Sequence, residues 1–111
     1  MMPPVEVLEQ GIACFNRREF FEAHEVWETL WRATPGPERA LYQGLIQVAV
    51  ACLHLTRGNA AGARYELAQA RGHLAPFLPS AQGIPLTELL ESVERCLIRG
   101  SSAAFPTIQG E

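Results

Sequence analysis

The chain has 111 residues, enough for one domain around one hydrophobic core, and 48% are hydrophobic against 19% charged, which excludes a disordered chain. Nine basic residues, all arginine, stand against twelve acidic ones for a formal charge of −3. No basic run occurs, so a nucleic-acid partner is not expected. Cys14, Cys52 and Cys96 lie far apart with no C-x-x-C spacing, which argues against a disulfide framework or a thiolate zinc site. Cys14 and Cys52 read as small core residues. The start, MMPPVEVLEQ, lacks the basic and apolar runs of a signal peptide, and the longest apolar run, Val48–Leu53, is far too short for a bilayer. A cytoplasmic protein with no membrane partner is the expectation.

Punctuation divides the chain into about five helices. The first is predicted over Pro4–Phe15, with Val5, Leu8, Ile12 and Phe15 on one apolar face and prolines at its start. After the break at Asn16-Arg17-Arg18, the second is predicted over Glu19–Ala33, stopping before Thr34-Pro35-Gly36-Pro37. The third runs over Pro37–Arg57, with Pro37 in its first turn, Glu38 at the positive end of the dipole and Gly58 at the left-handed stop. Asn59 then reads as the N-cap of a fourth helix over Ala60–Pro76. A loop follows from Leu78 to Pro85. The fifth helix, Leu86–Arg99, carries Leu86, Leu89, Leu90, Val93 and Leu97 on one face and ends at Gly100. The expectation is an all-α fold: an antiparallel helical bundle of four to five helices over residues 4–99, with a loose C-terminal tail over 100–111.

Two helices carry polar groups in largely apolar surroundings. On the second, His24 and Glu28 are i,i+4 neighbours at the edge of a Phe/Val/Trp/Leu face, near Trp31. Glu25 points further toward solvent, and Glu22 borders the opposite edge. On the third, Gln43, Gln47 and His54 fall within roughly a 40° arc, and Ala40, Gly44 and Ala51 line the adjacent arc, where another helix can approach closely. Arg39 and Arg57 flank this stripe, placed to pair with glutamates of the second helix. An unpaired buried polar group costs roughly 1–3 kcal/mol, so Glu22, His24, Glu28, Trp31, Gln43, Gln47 and His54 are expected to meet in one interhelical pocket.

Three readings of that pocket compete. It is a satisfied network that fixes helix register. Or it binds a small-molecule ligand or a divalent metal, with His24, Glu28 and His54 as metal ligands and Gln43 and Gln47 behind them. Or a His–Glu pair does general acid/base work. His24-Glu25-Val26-Trp27-Glu28 lacks the second His of the H-E-x-x-H zinc motif and differs from the E-x-x-H order of di-iron bundles. His73 reads as a solvated or capping histidine, Trp27 as core, and Arg64, Glu66 and Arg71 as a solvated face.

The run Phe15-Asn16, Phe20-Phe21-Glu22-Ala23-His24-Glu25-Val26-Trp27-Glu28, Trp31-Arg32, Gln43-Gly44-Leu45-Ile46-Gln47, His54, Arg57-Gly58-Asn59 and Gly62-Ala63 resembles the small bacterial and archaeal proteins grouped as domain of unknown function 309. The resemblance spans roughly Glu6 to Leu97. It implies an all-helical bundle and brings no established activity, so no catalytic residues follow from it. Its hallmark segments, F-x-E-A-H-E-x-x-E and Q-G-L-I-Q, are both intact. A hallmark can serve folding as well as chemistry. Two functional expectations therefore stand: a pocket for a small ligand or divalent metal, or a helical interaction module whose polar cluster is structural. In the second, three tetratricopeptide-like repeats are absent, so a homodimer is the more natural form.

Overall fold

A computed structural model describes residues 2–100 and 105–109. It contains α1 (Pro4–Asn16), α2 (Phe20–Ala33), α3 (Arg39–Thr56), α4 (Ala60–Leu74) continued by a 3-10 turn (Ala75–Phe77), and α5 (Leu86–Arg99). The fold is all-α, and no strand occurs among the described residues. Boundaries differ from the sequence reading at the prolines. Pro37 and Glu38 form the turn into α3 rather than its first turn, with the Arg39 amide donating to the Gly36 carbonyl at 3.2 Å. α4 stops at Leu74, because Pro76 lacks an N–H and its ring clashes with a continuing α-helical turn.

The two tight helical connections share one device. After α3, the Gly58 amide bonds to the Leu55 carbonyl at 3.2 Å and the Asn59 amide to the His54 carbonyl at 2.9 Å, with Gly58 at φ +72°. This is a Schellman stop followed at once by an N-cap, since Asn59 Oδ1 accepts from the Gly62 amide at 2.9 Å. After α1 the same pair of bonds runs from Arg18 to Phe15 and from Glu19 to Cys14, each at 2.9 Å. Here the left-handed position holds Arg18, at φ +63°, which costs about 1–2 kcal/mol for a residue with a Cβ.

Short connections make neighbours antiparallel. Phe15 meets Phe20 edge-to-face at 5.1 Å beside the α1–α2 turn, while further along Trp27 Nε1 donates to the Leu8 carbonyl at 3.2 Å. Close approach there requires Gly11, where a Cβ would overlap the Trp27 indole. Gly44 plays the same part between α3 and α4, against Leu74. α3 lies at the centre, packed on α2 on one side and α4 on the other, with Leu45, Val48, Ala49, Ala51 and Cys52 fully buried. α5 covers α3 and α4 with Leu86, Leu89, Leu90, Val93 and Cys96, whereas Leu97 is half-buried. On α1, Leu8 and Phe15 are buried as expected, but Val5 is exposed. The 78–85 loop turns at Gln82-Gly83, both at positive φ, as a type I′ turn between Ala81 and Ile84 requires. Gln82 Nε2 then donates to Glu38 at 2.7 Å, tying this loop to the α2–α3 connection.

The tail departs from expectation. Residues 101–104 and 110–111 lie outside the described residues, but 105–109 are docked rather than loose. Phe105 and Ile108 are buried, and Phe105 stacks edge-to-face on Phe20 at 5.1 Å. Among the described residues no helix is long and apolar enough to cross a membrane.

Candidate functional site

α2 places His24, Glu28 and Arg32 one turn apart along its outer edge. Glu28 accepts from Arg32 Nη2 at 2.9 Å and lies 3.6 Å from His24 Nε2. Both His24 and Glu28 are half-buried, and the exposed ring of Phe21 sits 5.8 Å from the imidazole. The i,i+4 pairing read from the sequence is therefore present. Glu22 and Glu25 are exposed, and among the described residues Glu22 makes no hydrogen bond or ion pair.

Trp31 closes α2. The Arg39 guanidinium lies over its ring at 4.1 Å, and Arg39 Nε donates to the Trp31 carbonyl at 3.2 Å. Arg39 thus caps the C-terminal end of α2, where a cation is favoured, instead of pairing with a glutamate. The Trp31 Nε1–H is buried without an acceptor among the described residues.

The α3 stripe is shared out among different partners. Gln47 Oε1 lies 2.8 Å from His73 Nδ1 of α4, the amide oxygen accepting from the ring N–H. His54 Nδ1 lies 3.2 Å from Asn59 Nδ2. Because Asn59 Oδ1 is engaged by the Gly62 amide, its NH2 faces His54, whose Nδ1 must accept. His54 belongs to the α3–α4 turn. Gln43 is half-buried and makes no hydrogen bond among the described residues.

No hydrogen bond or ion pair among the described residues joins His24 or Glu28 to Gln43, Gln47 or His54. Of the residues expected in a single pocket, His24 with Glu28, Trp31 with Arg39, Gln47 with His73 and His54 with Asn59 form separate local pairs, while Glu22 and Gln43 join none of these among the described residues. Nor do His24, Glu28 and His54 form a metal site: no group of three or more His, Cys, Asp or Glu that could hold an ion occurs among the described residues. The reason is helical register. His24 and Glu28 occupy the edge of α2, while His54 is held at the far end of α3 by its own turn. The histidine that the sequence reading missed is His73. Folding the chain back at Gly58-Asn59 sets Gly44 against Leu74 and so brings residue 47 opposite the turn that contains residue 73. That hairpin register was the available signal.

Cavities lie elsewhere. One of about 480 Å³ runs between α4 and α5, lined by Leu67, Ala68, Leu97 and Ile98. Another, of about 410 Å³, separates α5 from residues 106–109.

Paired antiparallel helices joined by short turns, with polar pairs at helix edges and ends, define a small all-α fold. Within that class, residues 8–65, more than half of the chain, match the family described as Domain of unknown function (DUF309), and the chain belongs to it. It is 43% identical over 64 residues to the uncharacterized protein YpuF of Bacillus subtilis (strain 168), covering 57% of this chain and 37% of that protein. It is 29% identical over 93 residues to an uncharacterized protein of Aquifex aeolicus (strain VF5), covering 83% of this chain and 28% of that one. The chain thus spans well under half the length of either relative. The matched region runs from α1 into α4 and contains both hallmark segments, but not His73.

Proposed function

We propose that this chain is a helical interaction module whose polar pairs hold helix register and whose α4–α5 groove docks an amphipathic helix carrying carboxylates. The observation that carries this reading is the groove itself. Ile98 is 78% exposed above a floor that includes Leu67 and Leu97, and covering such a side chain is worth about 1.5–3 kcal/mol. Charge selects the occupant. Arg71 is paired with Glu94 at 3.1 Å, while Arg64 on the same rim makes no ion pair among the described residues. The rim therefore carries surplus positive charge on a chain of net −3, and a partner carboxylate complements it.

A labelled synthetic amphipathic helix, with a leucine face flanked by glutamates, tests the reading by fluorescence anisotropy against the full chain. Affinity is expected to fall at least tenfold with Ile98→Asp, with Arg64→Glu, and when the peptide glutamates are replaced by lysines. Indifference to all three changes overturns the proposal. A dimer in light scattering that Ile98→Asp abolishes makes a second copy the occupant and also overturns it.

The divalent-metal or small-ligand reading has one observation in its favour, the 3.6 Å His24–Glu28 pair. Two donors make one edge of a site, and the rest would come from a partner. Equilibrium dialysis of untagged chain against Zn²⁺, with His24→Ala as control, measures it; equal uptake by both removes it.

A further inference from the structure

The segment 105–109, outside any helix, docks on the corner between α1 and α2. Two kinds of contact hold it. Asn16, at the end of α1, engages the backbone of Ile108 twice: its Nδ2 donates to the Ile108 carbonyl at 3.0 Å, and its Oδ1 accepts from the Ile108 amide at 2.7 Å. One side-chain amide thereby copies the donor and acceptor of a neighbouring strand, and this contact does not depend on which side chain the peptide carries. Side chains supply the selectivity. Phe105 is buried against Phe20 under the Arg18 guanidinium, 5.4 Å above its ring, and Ile108 is 3% exposed. Between them Pro106 is half-buried and Thr107 exposed. Arg18 reaches this position from a left-handed backbone that glycine would adopt at no steric cost.

Two features mark this as a recognition groove rather than an ordinary terminus. Asn16, Arg18 and Phe20 belong to the α1–α2 corner, Asn16 being 92 residues from Ile108 in sequence, so the receptor surface is built without the segment. The segment is also not packed in on its other side: a cavity of about 410 Å³ lies between residues 106–109 and the face of α5 that carries Glu88, Ser92 and Arg95.

We infer that this groove recognises an extended aromatic–Pro–x–aliphatic segment, that the chain's own Phe105-Pro106-Thr107-Ile108 occupies it in cis, and that the same segment of a second copy exchanges into it. The occupant from a second copy makes the same contacts as the resident one, so exchange sacrifices no interaction. Tethering gives the resident segment a high effective concentration, which keeps the closed form dominant until the protein is concentrated. This groove is separate from the α4–α5 groove, so the two proposals fail independently.

The test uses the full chain and a labelled peptide of residues 105–109 as probe. The Phe105→Ala/Ile108→Ala variant empties the groove, and it is expected to bind the peptide at least tenfold more tightly than the wild-type chain, whose tail competes. Adding Asn16→Ala to that variant, or Ile108→Ala in the peptide, is expected to reduce binding at least tenfold. Equal binding to wild type and double variant, or none to either, overturns the inference. Should the double variant fail to fold, Asn16→Ala alone leaves every apolar anchor in place. Amide exchange at Ile108 is then expected to rise at least tenfold in that variant, and the wild-type chain at high concentration is expected to show a dimer by light scattering whose fraction falls when the free peptide of residues 105–109 is added. Unchanged exchange, or no dimer that the peptide dissolves, overturns it equally.

Discussion

Single side chains in this protein are decided by close approach more than by composition. Gly11 and Gly72 are both helical glycines, and intrinsic propensity alone would favour alanine at each by about 0.8–1 kcal/mol. Their surroundings differ. A Cβ at Gly72 meets nothing within 4 Å, whereas one at Gly11 overlaps the indole of Trp27, which is fully buried and pinned by its bond to Leu8. Overpacking of that kind costs about 1–3 kcal/mol, enough to reverse the propensity gain. Gly72→Ala is therefore expected to raise stability by about 0.5–1 kcal/mol. Gly11→Ala is expected to lower it by about 1–2 kcal/mol. Urea unfolding followed by circular dichroism measures both, and a shift of the same sign at both sites would refute the argument. The pairing of His24 with Glu28 was legible because it needs only helical spacing. Gln47 with His73 was not, because that contact exists only once the α3–α4 hairpin has a register. Arg39 illustrates a third case: its position was legible, but the choice of an aromatic face and a helix-end carbonyl over a glutamate is made in three dimensions.

At the scale of elements, helix ends are fixed by local chemistry, and the junction at Asn59 concentrates it. One residue closes α3 with its backbone amide, caps α4 with Oδ1 and holds His54 with Nδ2. Asn59→Ala keeps only the first of these contacts and is expected to cost about 1–2 kcal/mol. Asn59→Asp retains the cap, which is of equal rank for the two residues, and is expected to recover most of the loss in denaturant titrations. If Asp recovers nothing, the His54 contact rather than the cap carries the effect. This junction was readable because Gly58-Asn59 is a stop and a start in adjacent residues. The fifth helix was readable to the residue for a related reason: Leu86 follows Pro85, and Gly100 takes φ +64° at its end. The docked segment 105–109 was not readable. Its two apolar anchors show no period, and its partners Asn16, Arg18 and Phe20 are remote in sequence, so no local pattern announces the contact.

For the molecule as a whole, the response to alkali follows from where its thiols lie. Cys14, Cys52 and Cys96 are all buried. Burial pushes the Cys52 thiol far above its ordinary range, with neighbouring Cys96 adding to the effect, and burial likewise raises Cys96. Tyr42 is also raised, by burial first and then by the Glu38 carboxylate. All three groups prefer their protonated forms in the folded state. The unfolded chain releases thiol protons near pH ~8.5 and phenol protons near pH ~10, while the folded chain retains them. Above those values the unfolded state binds fewer protons, so stability is complete below about pH 8.5 and declines as pH rises toward the folded-state values. The melting temperature is accordingly expected to fall between pH 8 and pH 10.5 in reducing buffer. Cys52→Ala lowers stability at neutral pH, because it leaves a small cavity where the C-terminal part of α3 is buried in the core. It also removes the group most strongly shifted, so its melting temperature must decline less steeply with pH than that of wild type. Thermal unfolding of both proteins across that range reads the two slopes directly. Parallel slopes would place the alkaline loss outside the core.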